Sequence, residues 1–293
     1  MVRRSAIFRS LPVVVALLLT GCGGSPTSPP PPPPPPPPAS ALPIIDAITV
    51  QGRRPRQPAR FADLRETVDV SAVVRDAETP IDELVYQWSA TAGTFSGAGR
   101  GVAWTAPDAA TTPSTVTITL KVIENYGRPG EPKTFSQEVT GTQTLSLHDS
   151  RSEVEDYAIR FLTLFSQPQT NKNWPDIMRD FKAAACPVPG LVDSEKDEVI
   201  RHYTFFTMHT FNIQNATTRV SFGEGCSFRD RPGDACVSPP VMWDSTDSRD
   251  GTRAVARGID HIAAVYSAAD ARWWLCSSDF EATSSIGHQS YGR

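Results

Sequence analysis

Near its N-terminus the sequence lacks an apolar run long enough to span a bilayer. The run from Leu11 to Leu19 has nine residues. At about 1.5 Å per residue it falls well short of a hydrocarbon core of roughly 30 Å. Arg3, Arg4 and Arg9 precede this run. A short cationic segment that leads into a short apolar one is typical of an export signal, which we assign to residues 1–21.

The chain also lacks an excess of basic residues. It has 28 Lys and Arg against 32 Asp and Glu, a net charge of −4. Without residues 1–21, which carry three arginines and no acids, the balance is 25 against 32 and the net charge is −7. Because surfaces that bind nucleic acid are usually basic, this charge argues against a nucleic acid as partner.

Cysteine is missing from positions 23–185, and four cysteines follow that gap. In an exported protein this even number predicts two disulfides. A Cys226–Cys236 bond would close a short loop around the turn-like residues 231–234, which leaves Cys186–Cys276 as a long-range bond. A zinc site of four cysteines is the alternative, disfavoured because no C-x-x-C pair is present. We therefore predict no metal ligands and no cofactor.

The remaining cysteine, Cys22, ends the motif Leu19-Thr20-Gly21-Cys22, which resembles the lipobox of bacterial lipoproteins. The resemblance implies cleavage between Gly21 and Cys22, acyl chains such as palmitate on Cys22, and the lipid bilayer as a partner. Stable membrane anchoring needs several acyl chains, because one acyl chain gives only marginal membrane binding. Gly23 stands where an Asp would retain an enterobacterial lipoprotein in the inner membrane, which favours the outer membrane. An ordinary secretory signal with an incidental Cys22 is the alternative.

Residues 22–42 predict a disordered, proline-rich linker. The ten consecutive prolines from Pro29 to Pro38 favour polyproline II, which extends about 31 Å at ~3.1 Å per residue. A PxxP recognition ligand is the competing interpretation. The position of the proline run beside the lipid anchor favours a spacer.

About 250 residues follow the linker, which predicts two domains. In residues 43–147 apolar and polar residues alternate, as where Val116, Ile118 and Leu120 alternate with threonines. Six or seven such segments, separated by turn residues, predict an all-β sandwich.

Four segments of this region resemble bacterial immunoglobulin-like domains of the polycystic-kidney-disease (PKD) type: residues 76–78 (DAE), 84–89 (LVYQWS), 93–95 (GTF) and 104–107 (WTAP). The resemblance implies a spacer or adhesive module in which Trp88 packs without an inter-sheet disulfide. Acidic residues nearby could offer oxygen ligands to calcium, but they lack EF-hand spacing, which favours a solvated loop. They are Asp76, Glu78, Asp82 and Glu83.

Residues 148–285 change to helical periodicity and predict an α+β domain, followed by a tail over 286–293. Ser150 and Glu153 resemble a capping box before an apolar helix face that runs from Val154 to Phe165. A second helix is predicted from Trp174, and Ser194 is expected to cap a third. Strand patterns follow, with a hairpin loop over 268–271 and an acidic, mobile loop over 244–251.

Helices followed by a sheet that ends in residues 272–278 (RWWLCSS) resemble the NTF2-like or SnoaL-like cone. That resemblance implies an apolar pocket between sheet and helices, which is an active site in some members and a binding surface in others. An unrelated α+β domain accounts for the same features.

Catalytic candidates are few, and we assign no catalytic residue. In such a cone Asp260 or His261 could be a pocket acid or base, although adjacent strand residues point to opposite faces. A structural histidine is the favoured interpretation of His261. His202 and His209 are seven residues apart, about 10 Å on one helix, which is too far to share a metal.

Two functions follow. The first is a lipid-anchored protein of the cell envelope, in which an Ig-like spacer presents a non-catalytic domain that binds an envelope protein or an apolar small ligand. The alternative is an anchored enzyme with its active site in the cone. An apolar or filled interior would favour the first, and converging ionisable residues would favour the second.

The anchor itself is testable. Cys22→Ser should leave the protein without lipid, because the acylated thiol is lost, and should move it from the detergent phase to the aqueous phase in detergent phase partitioning. Unchanged membrane retention of the mutant would contradict the assignment of Cys22.

Overall fold

The computed structural model describes residues 35–36, 38–167, 174–223 and 225–286. From Pro38 onward the chain forms one compact unit. The predicted signal, the Gly21–Cys22 cleavage site, the lipidated Cys22, most of the proline run and the tail beyond Ile286 lie outside the described residues. In the described part β-strands predominate and form three sheets. None of the helices in that part is both long and apolar enough to cross a membrane.

Two mainly antiparallel sheets, each of four strands, share a core and form an N-terminal sandwich. The first has the order β1-β3-β6-β5 and the second β2-β8-β7-β4, in which β2 and β8 are parallel. The strands are β1 (Ile44–Gln51), β2 (Phe61–Asp63), β3 (Thr67–Arg75), β4 (Val85–Ala90), β5 (Thr94–Ser96), β6 (Gly101–Thr105), β7 (Ser114–Tyr126) and β8 (Phe135–His148).

The period-two pattern buries the residues that it predicts. In β7 the residues Val116, Ile118 and Leu120 are buried, and the threonines between them are not. Trp104 of β6 is fully buried and donates its indole N–H to the Ala92 carbonyl at 3.0 Å. Gly93 is required beside it, because a Cβ there would lie 2.6 Å from the Trp104 ring, and its φ is +78°.

The end of the predicted disordered linker is ordered against the sandwich, so that prediction is wrong for Ser40 and Ala41. The Ser40 hydroxyl donates to the buried Glu124 carboxylate at 2.9 Å. Gln137 donates to both the Ala41 carbonyl and Glu124 at 2.6 Å. A buried carboxylate needs such donors, and this linker segment supplies one of them.

The C-terminal part packs helices on one six-stranded sheet. The sheet has the order β10-β11-β13-β12-β9, with β14 paired to β13. The elements are α1 (Ser150–Phe165), α2 (Trp174–Ile177), α3 (Leu191–Phe205), β9 (Phe206–Ile213), β10 (Arg219–Phe222), β11 (Ala235–Ser238), β12 (Pro240–Asp247), β13 (Arg253–Ser267) and β14 (Arg272–Ile286), with short 3-10 turns at Met178–Asp180, Ala183–Ala185, Asn215–Thr217 and Phe228–Asp230.

Two helix starts differ from the sequence prediction. Asp149, not Ser150, caps α1, and its carboxylate accepts from the Ser152 N–H at 3.4 Å. The Ser150 hydroxyl instead accepts the Trp273 indole N–H at 3.0 Å. Ser194 lies inside α3, which begins at Leu191 after Gly190. Tertiary partners and a left-handed glycine therefore override the local capping signals.

The predicted acidic loop is also partly wrong, because Asp244 to Asp247 belong to β12. Arg253 of β13 donates to the Asp244 carboxylate at 2.8 Å across the hairpin. The cross-strand ion pair accommodates this acidic residue in a strand. The hairpin loop predicted over 268–271 separates β13 from β14 as expected.

Both disulfides have the pairing that was favoured from the sequence. Cys226 is bonded to Cys236, ten positions away, and Cys186 to Cys276, 90 positions away. The second bond ties the segment before α3 to β14. Because all four thiols are consumed, they do not form the alternative zinc site.

An aromatic cluster joins the sandwich to the C-terminal part. Phe61 of β2 is 1% exposed and belongs to the core of the C-terminal part. Its ring stacks on His148 at 4.9 Å and meets Tyr266 of β13 edge-on at 4.7 Å. His148 is fully buried and hydrogen-bonded to Glu153 of α1 at 2.8 Å. The predicted boundary at residue 148 thus falls in a packed junction.

This junction predicts that both parts unfold together. Phe61→Ala should lower the free energy of unfolding by about 3–5 kcal/mol, the usual loss for a buried phenylalanine. Phe135→Ala, at a ring that is 37% exposed on β8, should cost less than about 1 kcal/mol. Urea unfolding of residues 23–293 followed by tryptophan fluorescence measures both. Two separate wild-type transitions, or equal losses in both variants, would contradict the shared core.

Candidate functional site

A cavity of about 580 Å³ lies in the C-terminal part, between helices α1 and α3 and strands β9, β12, β13 and β14. Its size lies within the usual range for small-molecule pockets, about 300–1,000 Å³. The long β13–β14 hairpin provides its floor, and the loop closed by Cys226–Cys236 reaches its edge.

One side of the cavity is aromatic. Phe161 and Phe165 come from α1, where their four-residue spacing places them on one helix face. Phe211, Trp243 and Phe280 come from three different strands, and the last two rings are 6.1 Å apart. Such rings would pack against an apolar molecule.

The same cavity holds two buried carboxyl groups bridged by one serine, and one of them, Asp260, is the cross-strand partner of Phe280. The Ser278 N–H of β14 donates to Glu195 of α3 at 2.9 Å. The Ser278 hydroxyl donates to Asp260 of β13 at 2.6 Å. Glu195 and Asp260 are 9% and 7% exposed, and all three residues line the cavity. The backbone and side chain of one residue thus hold a carboxyl pair in place.

Burial shifts both carboxyl groups toward the neutral form. Burial raises the pKa of Glu195 to about 8. The negative charges of Asp260 and Asp279 also raise this pKa, whereas the hydrogen bond from the Ser278 N–H lowers it. Burial also raises the pKa of Asp260 to about 6, opposed by the Ser278 hydroxyl and by His261. At neutral pH Glu195 therefore carries a proton and can donate a hydrogen bond, whereas Asp260 is mostly ionised.

Two arginines occupy the solvent side of the cavity. Arg231 donates through Nε to Asp279 at 2.6 Å, and Arg229 donates through Nη1 to the same carboxylate at 3.2 Å. Asp279 is buried, whereas the Arg229 side chain is 45% exposed. All three line the cavity.

A further polar atom is buried at the cavity wall. Ser277 is 1% exposed, and its hydroxyl has no hydrogen-bond partner among the described residues. A buried hydroxyl without a partner costs roughly 1–3 kcal/mol. Ser277 is the cross-strand partner of Ala263, so its hydroxyl lies on the His261 face of the hairpin and not on the face of Ser278 and Asp260.

His202 also lines the cavity, but as a neutral group. Burial, and then the charge of Arg201, lower its pKa to about 4. Its ring lies between Phe165 at 4.3 Å and Phe206 at 5.4 Å. It therefore extends the aromatic side of the cavity.

The structure separates the two adjacent residues that were considered for acid–base chemistry. Asp260 lines the cavity. His261 lies on the other face of β13, where it hydrogen-bonds Ser238 at 3.2 Å and Glu281 at 3.0 Å and stacks on Phe228 at 4.8 Å. His209 lies on β9, not on the helix of His202, and contacts Thr246 at 2.7 Å.

Glu195 was missed in the sequence, although one signal points to it. Leu191, Glu195 and Val199 recur every four residues in α3 and are all buried, so the glutamate occupies a core-facing position. Ser278 and Asp279 carry no comparable local signal. Across the described ranges no cluster of three or more His, Cys, Asp or Glu is arranged to hold a metal ion.

Comparison with known proteins finds no match to a family model, to a curated protein or to a solved structure.

The carboxyl pair predicts that stability falls as pH rises. The folded chain keeps the Glu195 proton up to pH about 8, whereas the ordinary pKa is 4.5. The stability due to this proton is therefore complete below pH 4.5 and is lost as the pH rises through about 8, with a slope of at most about 1.4 kcal/mol per pH unit. Asp260 adds a similar slope between 3.8 and about 6.

Urea unfolding of residues 23–293 between pH 5 and pH 9 measures this slope. Glu195→Gln should flatten it and should raise stability at pH 8, because the amide stays neutral. Asp197→Asn, at an exposed position of the same helix, should leave the slope as in the wild type. If Glu195→Gln had the same slope as the wild type, the conclusion that Glu195 is protonated in the folded protein would be wrong.

Proposed function

We propose that this protein is a lipid-anchored, extracytoplasmic binding protein whose C-terminal cavity holds a small organic molecule. The lipobox-like motif at Cys22 and the proline run support the anchor and its spacer. Two disulfides support an oxidising compartment, where such bonds persist. In this proposal the protein belongs to the cell envelope, in the outer membrane where the cell has two.

The observation that carries the binding function is the cavity itself, which is lined by both aromatic rings and hydrogen-bonding groups. The cavity has a volume of about 580 Å³ and is open to solvent, since the Arg229 side chain in its lining is 45% exposed. A small molecule can therefore enter it. The buried carboxyl groups are costly in free energy unless they are hydrogen-bonded. A cavity of this composition suits a ligand with an apolar body and a polar end.

The sandwich is proposed to act as a PKD-type immunoglobulin-like spacer, and the C-terminal part as an NTF2-like cone. Two sheets with a shared core and a buried Trp104 support the first likeness. Helices that precede a six-stranded sheet, with a cavity between helices and sheet, support the second. The Phe61 junction would then hold the cavity in a constant orientation relative to the spacer.

An anchored enzyme is the second candidate, and the carboxyl pair favours it. The interior is not purely apolar, since Glu195 and Asp260 converge there. Two carboxyl groups with separated pKa values can serve as proton donor and acceptor. At neutral pH Glu195 would donate and Asp260 would accept. Turnover that Asp260→Asn abolishes while ligand binding persists would identify the protein as an enzyme.

Binding can be tested with the neutral fluorescent probe N-phenyl-1-naphthylamine and the soluble chain of residues 23–293, which contains the whole compact unit. We expect saturable binding with increased probe fluorescence. Ser194→Trp should weaken it by about tenfold or more, since Ser194 lines the cavity from α3 and an indole there would fill the space.

Asp197→Trp is the matched control, because Asp197 is exposed on the same helix and does not line the cavity. It should bind the probe as the wild type does. Absence of saturable binding by the wild type, or equal weakening by both tryptophans, would refute the cavity as the binding site.

A further inference from the structure

We infer that the Arg229–Arg231 loop recognises an anionic group, so that the ligand is an amphipathic organic anion whose carboxylate, sulfonate or phosphate lies at this loop. The inference rests on the proposed binding function and specifies the chemistry of the ligand. The Arg229–Arg231 loop is defined as residues 226–236, closed by the Cys226–Cys236 disulfide.

Two arginines of the loop share one acidic partner. Arg229 and Arg231 both donate to the single carboxylate of Asp279. Two cations therefore face one anion, a net charge of +1 for these three side chains, and Asp230 lies between the two arginines in the chain. Arg231 uses two nitrogens on Asp279, at 2.6 and 3.2 Å. Within the described chain Arg229 uses only one, although a guanidinium has five N–H donors, so donors remain for a ligand.

The second step is that the loop is held before any ligand arrives. Besides the disulfide, Cys226 and Arg231 exchange backbone hydrogen bonds at 2.9 and 3.1 Å. Gly225 allows this approach, because a Cβ there would lie 2.6 Å from the Arg231 carbonyl oxygen. The Arg229 guanidinium lies 5.3 Å from the Phe228 ring, which stacks on His261. Preorganised donors bind an anion without a large ordering cost.

Backbone strain marks the same loop. Arg229 and Asp230 have φ of 53° and 51°, in the left-handed region that non-glycine residues seldom adopt. Such conformations persist where the surrounding structure enforces them, and they are concentrated at ligand-binding sites. The loop packs through Phe228 on the His261 face of β13, and its two arginines also belong to the cavity lining.

The third step concerns the other charges that face the cavity. Glu198 is paired with Arg201, whose Nε donates to it at 2.9 Å. Glu195 is protonated at neutral pH and adds no negative charge. Asp260 is bonded to Ser278, on the floor of the cavity. Over the whole lining the ionised Asp260 balances the charge of the arginine cluster, so positive charge is concentrated only at Arg229 and Arg231, which are partly exposed to solvent.

The ligand class follows from this arrangement. Its anionic group would accept hydrogen bonds from Arg229 and Arg231, and its apolar body would lie against Phe161, Phe165 and Trp243. A cation would be repelled at the entrance, and a neutral molecule would leave the arginine donors unused.

Two probes with the same body separate this inference from the proposed function. N-phenyl-1-naphthylamine is neutral, and 8-anilinonaphthalene-1-sulfonate adds one sulfonate. With residues 23–293, Arg229→Gln should weaken binding of the sulfonate probe roughly tenfold, the loss expected for a charge-assisted hydrogen bond. The neutral probe should change by less than about twofold. Arg229→Lys should restore part of the loss because the charge is kept.

Arg219→Gln is the control, since Arg219 is an exposed arginine on β10 outside the cavity. It should bind both probes normally. Raising the salt from 0.05 to 0.5 M, chosen to span strong screening, should weaken only the sulfonate probe. Circular dichroism verifies that each variant is folded.

The outcomes are distinct. Absence of wild-type binding of the neutral probe refutes the proposed function. Neutral-probe binding without sulfonate binding, equal losses of both probes in Arg229→Gln, or no loss in that variant overturns the anion inference and leaves the cavity function standing.

Discussion

The pairing of β13 with β14 is the interaction on which the rest of the C-terminal structure depends. The two strands are antiparallel from Val255 and Ile286 to Ser267 and Arg272. Near the hairpin loop Tyr266 and Trp273 reach the junction with the sandwich. Midway, Cys276 is bonded to the segment before α3. Beyond it lie Asp260 and the run Ser277 to Phe280, which form the cavity floor. One hairpin therefore aligns the junction, a disulfide and the site.

The other long-range neighbours of β13 explain where the site forms. Residues 262–264 of β13 pair with β11, and residues 253–259 pair with β12. Asp260 lies between the residues of β13 that pair with β12 and those that pair with β11. Its N–H donates to the Pro239 carbonyl at 3.0 Å. Register also shifts on both sides of this point in the β13–β14 pairing. Such irregularities bend a sheet and re-aim side chains, which suits a cavity wall.

The polar side of the cavity is a stability cost that the surrounding structure offsets. Burying Glu195 and Asp260 is unfavourable, and well-packed apolar residues in their place would often be more stable. The two disulfides and the Phe61 junction contribute stability close to the site without occupying it. Natural proteins commonly retain such costly groups where binding or catalysis requires them. The loop with Arg229 and Asp230 at positive φ is a second cost of the same kind.

Local patterns in the sequence determined much of this protein. Alternation predicted β7, helical spacing predicted α1, and a short loop favoured Cys226–Cys236, because each depends on residues close together in the chain. The Cys186–Cys276 bond, over 90 positions, was favoured only as the remaining pair. Glu195 could not be recognised in this way, since its partner Ser278 is 83 positions away. Phe61 looked like part of the sandwich alone, yet it packs on Tyr266. The sequence required Asp260 and His261 to face opposite sides of a strand. Only the packing of α1 and α3 on one face of the sheet decided that the carboxyl, and not the imidazole, lines the cavity.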